Sequence, residues 1–169
     1  KEALRNAKLV MRKTKCDAVK LEGGKKIISI VKTLVKNKIP VMGHLGILPQ
    51  TEKKFIFKGK KLIEVNKLIK DSKLLEQAGI FSIVLECVET KLAKKITELL
   101  NIPTIGIGSS AYCDGQVLVI DDLIGLSESK FRFVKKYANM SHVINSAVKR
   151  YKFEVLKKIF PRAKHSFKK

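Results

Sequence analysis

Short, unbroken apolar runs alternate with stretches of helical period along most of this chain, and that alternation restricts the fold more than any other feature. Residues 16–21, 39–42, 80–85, 104–107 and 116–120 read as strands, ending near residues 21, 42, 85, 107 and 120. Helical spacing runs through residues 1–13, 25–37, 61–78 and 90–100, as in Leu92, Ala93, Ile96 and Leu100, with Gly79 stopping the third of these helices. Val19 to Val41 is 22 residues and Val84 to Ile105 is 21, one βα unit each. Strands without polar alternation are buried on both faces, so the pattern predicts a parallel sheet covered by helices. Within the irregular stretch 47–67, Phe55 to Phe57 reads as a further short strand. Two helices, 131–138 and 141–158, precede a basic tail. No stretch rich in Pro, Gly or Ser divides residues 1–169, which are read as a single domain.

Charge narrows the partners. With 36 Lys+Arg against 15 Asp+Glu, the formal net charge is +21, a balance that suggests nucleic acid or an anionic surface. Yet the cations are mostly lysines on solvent-facing helix positions, such as Lys91, Lys94 and Lys95, without interleaved aromatics. That favours a lysine-rich surface and makes a nucleic-acid partner the alternative, one that predicts steeply salt-dependent binding. Cys16, Cys87 and Cys113 show no paired spacing and read as reduced thiols in the cytoplasm. No run approaches the roughly 18 apolar residues of a membrane span. The chain opens at Lys1 inside a helical pattern, from which a longer molecule is expected.

Five parallel strands suit a small doubly wound sheet or the second part of an eight-stranded barrel. In both, ligands bind at the carboxyl ends of the strands. There the notable polar groups collect: Lys20 and Glu22, His44, Glu86, then Ser109 and Ser110. The strand 39–42 is expected to open into a loop carrying His44 between Gly43 and Gly46. A buried strand that ends in a carboxylate is costly unless the charge has a partner or a task. For Lys20 and His44 the plain alternatives are a surface lysine and a turn histidine.

Five segments carry a resemblance: Asp17-Ala-Val-Lys-Leu-Glu-Gly-Gly24, Pro40-Val-Met-Gly-His-Leu-Gly46 with Pro49-Gln50, Ile83-Val-Leu-Glu-Cys-Val88, Ile102-Pro-Thr-Ile-Gly-Ile-Gly108 and Cys113-Asp-Gly-Gln-Val-Leu-Val119. Together with Lys135-Lys-Tyr-Ala-Asn139, Tyr151 and His165-Ser-Phe167, they resemble ketopantoate hydroxymethyltransferase over almost the whole chain. The resemblance implies an α/β fold, a (β/α)8 TIM barrel of the phosphoenolpyruvate/pyruvate type. It also implies transfer of a hydroxymethyl group from 5,10-methylenetetrahydrofolate to 3-methyl-2-oxobutanoate, giving ketopantoate for pantothenate and coenzyme A. A cytoplasmic homo-oligomer, of a size up to a decamer, and Mg²⁺ come with it.

By the same resemblance, Glu86 is the proton acceptor at C3 of the keto acid, and Lys20 and His44 hold the substrate's carboxylate and keto group. Glu22 is a ligand of the Mg²⁺. The chemistry asks for such groups, since a desolvated carboxylate is a stronger base and a hard cation prefers oxygen ligands.

The departures from the family pattern are specific. The family's barrel begins with three further strands, two of which supply metal-binding aspartates, and nothing in Lys1 to Lys13 resembles them. The chain therefore corresponds to barrel strands 4–8, the last five βα units, with C-terminal helices from about residue 130. On its own this portion is expected to bind metal and keto acid poorly. Ser109 and Ser110 stand where the family tends to have Ala-Gly, and the usual glycines between Gln50 and Gly59 are absent. A related enolate-forming lyase is the other enzymatic reading, and it would turn over without folate.

Overall fold

The computed structural model describes residues 1–52 and 56–167. They form two compact units, residues 1–117 and 118–169.

In the first unit α1 (Glu2–Thr14) leads into β1 (Val19–Glu22), a single 3₁₀ turn (Lys25–Ile27), α2 (Ile28–Lys36) and β2 (Val41–Gly46). Then come α3 (Leu62–Gln77), β3 (Ser82–Glu86), α4 (Thr90–Leu99), β4 (Thr104–Ile107) and β5 (Gly115–Gln116). The sheet is parallel throughout and its strands lie in chain order, β1-β2-β3-β4-β5. That order has no reversal, and a doubly wound sheet needs one.

Helix boundaries follow local chemistry. The Glu89 carboxylate accepts the Leu92 N–H at 2.9 Å and caps α4. Glu64, in the first turn of α3, accepts the amides of Gly59 and Lys60 at 3.1 and 3.2 Å. Gly79, at φ 94, ends that helix region as the sequence predicts.

Alternation along the strands sorts side chains onto two faces. Val41, Leu45, Ile83 and Leu85 point one way and join Val31 and Leu34 of α2, Leu68 and Leu75 of α3, and Leu92, Ala93 and Ile96 of α4 in one buried cluster. Ile83 and Leu85 are fully buried, and truncating either to alanine should cost about 2–5 kcal/mol. The opposite face carries the polar residues described below.

In the first unit three expectations are corrected. β2 does not open into a loop at Met42. It pairs with β3 as far as Gly46–Glu86, so His44 is a strand residue. The fifth strand is only Gly115–Gln116: the ladder with β4 stops at Gly106–Gln116, and Val117 and Val119 are about half exposed. Phe55 lies outside the described residues, and Ile56 and Phe57 form no strand. Lys58 instead makes one parallel bridge to Val88.

The second unit contains α5 (Ile120–Leu123), α6 (Met140–Leu156) and a 3₁₀ turn (Ala163–His165). Asn139 caps α6 by accepting the His142 N–H at 3.1 Å. The helix expected over 131–138 does not form. The Tyr137 amide donates to the Leu123 carbonyl and the Lys136 ammonium to that of Ser127, while Phe131 and Phe133 stack at 5.6 Å. No helix among the described residues is long and apolar enough to cross a membrane.

Candidate active site

Strand register brings the candidate residues together. Residues paired in a parallel ladder face the same way, and positions two apart along a strand share a face. Glu22 pairs with His44, and His44 pairs with Val84, two residues before Glu86. Lys20 lies two residues before Glu22. All four therefore project from the sheet face opposite the helix-covered core, at the carboxyl ends of adjacent strands.

His44 is the centre of this group. It is only 1% exposed, and each edge of its ring faces a carboxylate: Nδ1 is 3.4 Å from Glu22 Oε1, and Nε2 is 3.1 Å from Glu86 Oε2. Neither contact has hydrogen-bond geometry. Burial lowers the pKa of the imidazole, the Lys20 charge lowers it further, and Glu22 pulls the other way. The ring is thus held toward its neutral form, with a single N–H. That N–H can point toward only one of the two carboxylates.

Burial raises the pKa of Glu86 from the ordinary carboxylate value; Lys20 opposes the shift and Glu22 adds to it. The next residue, Cys87, is also buried, and its thiol is pushed up to about 11 by burial and by the Glu86 charge. At neutral pH Cys87 remains a thiol and is no nucleophile.

Backbone ties hold these groups in place. The Gly23 amide donates to the His44 carbonyl at 3.0 Å, and the Ile47 amide donates to the Glu86 carbonyl at 2.9 Å. Gly46 has φ +105, and a Cβ there would sit 2.0 Å from the Glu86 carbonyl oxygen, so only glycine allows β2 to pass this close. The Gln50 amide donates to Glu22 Oε2 at 3.3 Å, which brings the β2–α3 connection onto the site.

Glu22 suits one oxygen ligand of a hard cation: its side chain is 10% exposed, with no lysine or arginine paired to it among the described residues. No group of three or more His, Cys, Asp or Glu among those residues is placed to hold a metal ion. Ser109 and Ser110 do not join the cluster. The Ser109 hydroxyl donates to the Val88 carbonyl at 3.1 Å, and Ser110 Oγ accepts the Tyr112 amide at 3.2 Å.

Known proteins match this chain over nearly its whole length. A sequence model of ketopantoate hydroxymethyltransferase matches residues 1–163. Relatives named 3-methyl-2-oxobutanoate hydroxymethyltransferase include one from Pelagibacter ubique, 62% identical over 167 residues, covering 99% of this chain and 65% of the relative. Another, from Saccharolobus solfataricus, is 50% identical over 168 residues, covering 98% of this chain and 62% of the relative. A third, from Clostridium kluyveri, is 48% identical over 171 residues, covering 99% and 61%. The chain thus spans somewhat under two thirds of the length of these relatives.

Proposed function

The chain belongs to the ketopantoate hydroxymethyltransferase family, and from that premise we propose that it forms the base-bearing wall of an enzyme that hydroxymethylates 3-methyl-2-oxobutanoate. The observation that carries this reading is the row Glu22, His44, Glu86 on one sheet face, with Lys20 beside it.

Glu86 takes the C3 proton of the keto acid. The electron pair of the broken C–H bond becomes the enolate, whose carbon forms the new C–C bond to the one-carbon unit of 5,10-methylenetetrahydrofolate. Water supplies the hydroxyl as the two C–N bonds of the one-carbon unit break, and tetrahydrofolate departs carrying the proton from Glu86 and the remaining proton of the water. A base must be strong enough to remove a weakly acidic C–H proton, and the raised pKa of Glu86 supports that role. Lys20 is assigned to the substrate carboxylate and His44 to the keto group. His44 also keeps Glu86 turned toward the site. Glu22 is proposed as one ligand of Mg²⁺, which when bound supplies a Lewis acid for charge developing on the keto oxygen.

The sequential parallel sheet, covered by helices on one face, supports the (β/α)8 barrel as the complete architecture. A homo-oligomer is supported by α6, which buries none of its residues and leaves Ile144, Val148, Tyr151 and Val155 exposed along one helix face.

The test is product formation by the intact protein. Ketopantoate formed only when 5,10-methylenetetrahydrofolate is present supports the transferase. Turnover of the keto acid without folate would replace it with an enolate-forming lyase.

A further inference from the structure

Asp71 is a carboxylate in an unexpected place. It lies on the inner side of α3, 5% exposed, between the core residues Leu68 and Leu75. No cation among the described residues is paired with it. A buried carboxylate needs polar contacts, and Asp71 finds them in the turn that follows Glu22. Its Oδ1 accepts the Lys25 amide at 3.1 Å, at the start of the helical run that continues into α2. The first amides of a helix lack partners within it and favour an anion. Its other oxygen occupies the space of a side chain at position 24: a Cβ on Gly24 would lie 2.0 Å from Asp71 Oδ2 and 2.3 Å from its Cγ.

The turn is therefore fastened twice. Gly23 N–H is held by the His44 carbonyl of β2, and Lys25 N–H by Asp71 of α3. Glu22 immediately precedes both ties, and its carboxylate faces His44 Nδ1. We propose that Asp71 is a positioning residue of the active site: by clamping the Gly23–Gly24 turn it sets the direction in which Glu22 meets His44. This rests on the reading of the Glu22–His44–Glu86 row as the working face. Asp71 touches none of the reacting groups itself. Its effect passes through Glu22, so it disappears when Glu22 has already been altered.

The experiment is a double-mutant comparison in the intact protein, read by ¹⁵N NMR of the His44 ring, with the signal assigned by its loss in His44→Gln. Glu22→Gln is expected to move the ring resonances, and Asp71→Leu to move them the same way. Adding Asp71→Leu to Glu22→Gln should produce no further shift. Asp71→Asn, which keeps an oxygen acceptor for the Lys25 amide, should restore the wild-type positions. Should Asp71→Leu fail to fold, Gly24→Ala displaces the same carboxylate by collision and should give the same shift. Ring signals unmoved by Asp71→Leu or Gly24→Ala, or shifts that add in full to those of Glu22→Gln, would overturn the clamp. Exchange of the C3 proton of 3-methyl-2-oxobutanoate, measured alongside, tests the enzymatic reading separately. Its absence from wild type would sink that reading, while the His44 signals still decide the clamp.

Discussion

His44 Nε2 lies 3.1 Å from Glu86 Oε2, and the two residues reach each other from neighbouring strands whose register places Gly46, not His44, opposite Glu86. The contact therefore runs diagonally across the ladder. Gly46 lets the two strands pair this closely, since a Cβ there would meet the Glu86 backbone.

If Glu86 removes the C3 proton, Glu86→Gln should abolish exchange of that proton in deuterated water while the fold survives. General-base catalysis is typically worth about 10²–10⁴-fold, so a loss in that range is expected. Proton NMR of 3-methyl-2-oxobutanoate measures the exchange, and circular dichroism checks the fold. Exchange that continues at the wild-type rate would remove Glu86 from the mechanism.

If Glu86 is the base, acid should abolish activity at a higher pH than an ordinary carboxylate would set. A general base works only when ionised, and burial raises the pKa of Glu86. Activity is therefore present above that raised pKa and is lost as pH falls through it. Lys20 opposes the shift, so Lys20→Met should move the acidic limb of the kcat/KM profile to higher pH. A limb that stays put or moves down would show that Lys20 does not act on Glu86.

Much of this architecture is legible in the chain because burial and periodicity act locally. The runs around Val41, Ile83 and Ile105 become strands, and the polar groups at their ends gather by register alone. Other features depend on distant partners. Val117 and Val119 have the composition of a strand, but the β4 ladder stops before them. Residues 131–138 have helical spacing, yet the Tyr137 amide goes to Leu123 and the Lys136 ammonium to Ser127. Asp71 and Ser72 do interrupt the apolar stripe between Leu68 and Leu75, which is a visible signal. The partner of Asp71 is a backbone amide 46 residues earlier, which no sequence pattern announces.

Gly46→Ala should destabilise the first unit and disturb the site together. A Cβ there meets the Glu86 carbonyl oxygen at 2.0 Å, at a φ of +105 that L side chains rarely adopt. Substitution at an incompatible φ costs more than about 1 kcal/mol. A lower urea midpoint with an unchanged m value, accompanied by slower C3 exchange, is the expected result. Wild-type stability would mean that β2 and β3 do not approach this closely.

Asp114 should make stability depend on pH from the far edge of the sheet. Its Oδ2 accepts both the amide and the hydroxyl of Thr104, at 2.8 and 3.0 Å, and the Thr104 hydroxyl also meets that of Thr97 at 2.8 Å. Thr104 is fully buried, so these bonds serve groups that have no access to water. Hydrogen bonds from the Thr104 amide and then its hydroxyl hold the Asp114 carboxyl below its ordinary pKa. A carboxylate depressed in the folded state adds stability above its unfolded pKa of about 3.9, and that contribution fades as pH falls toward the folded value. The Asp114 side chain is itself exposed, so solvent screening discounts this contribution, and Asp114→Ala should lose at most about 1 kcal/mol at neutral pH, the usual worth of such a bond. The gap between wild type and variant should narrow in urea melts taken below about pH 4. Asp114→Asn keeps an acceptor oxygen and should lose less. A gap that stays constant down to the acid transition would show that the Asp114 charge does not contribute, leaving Thr104 to be held by packing.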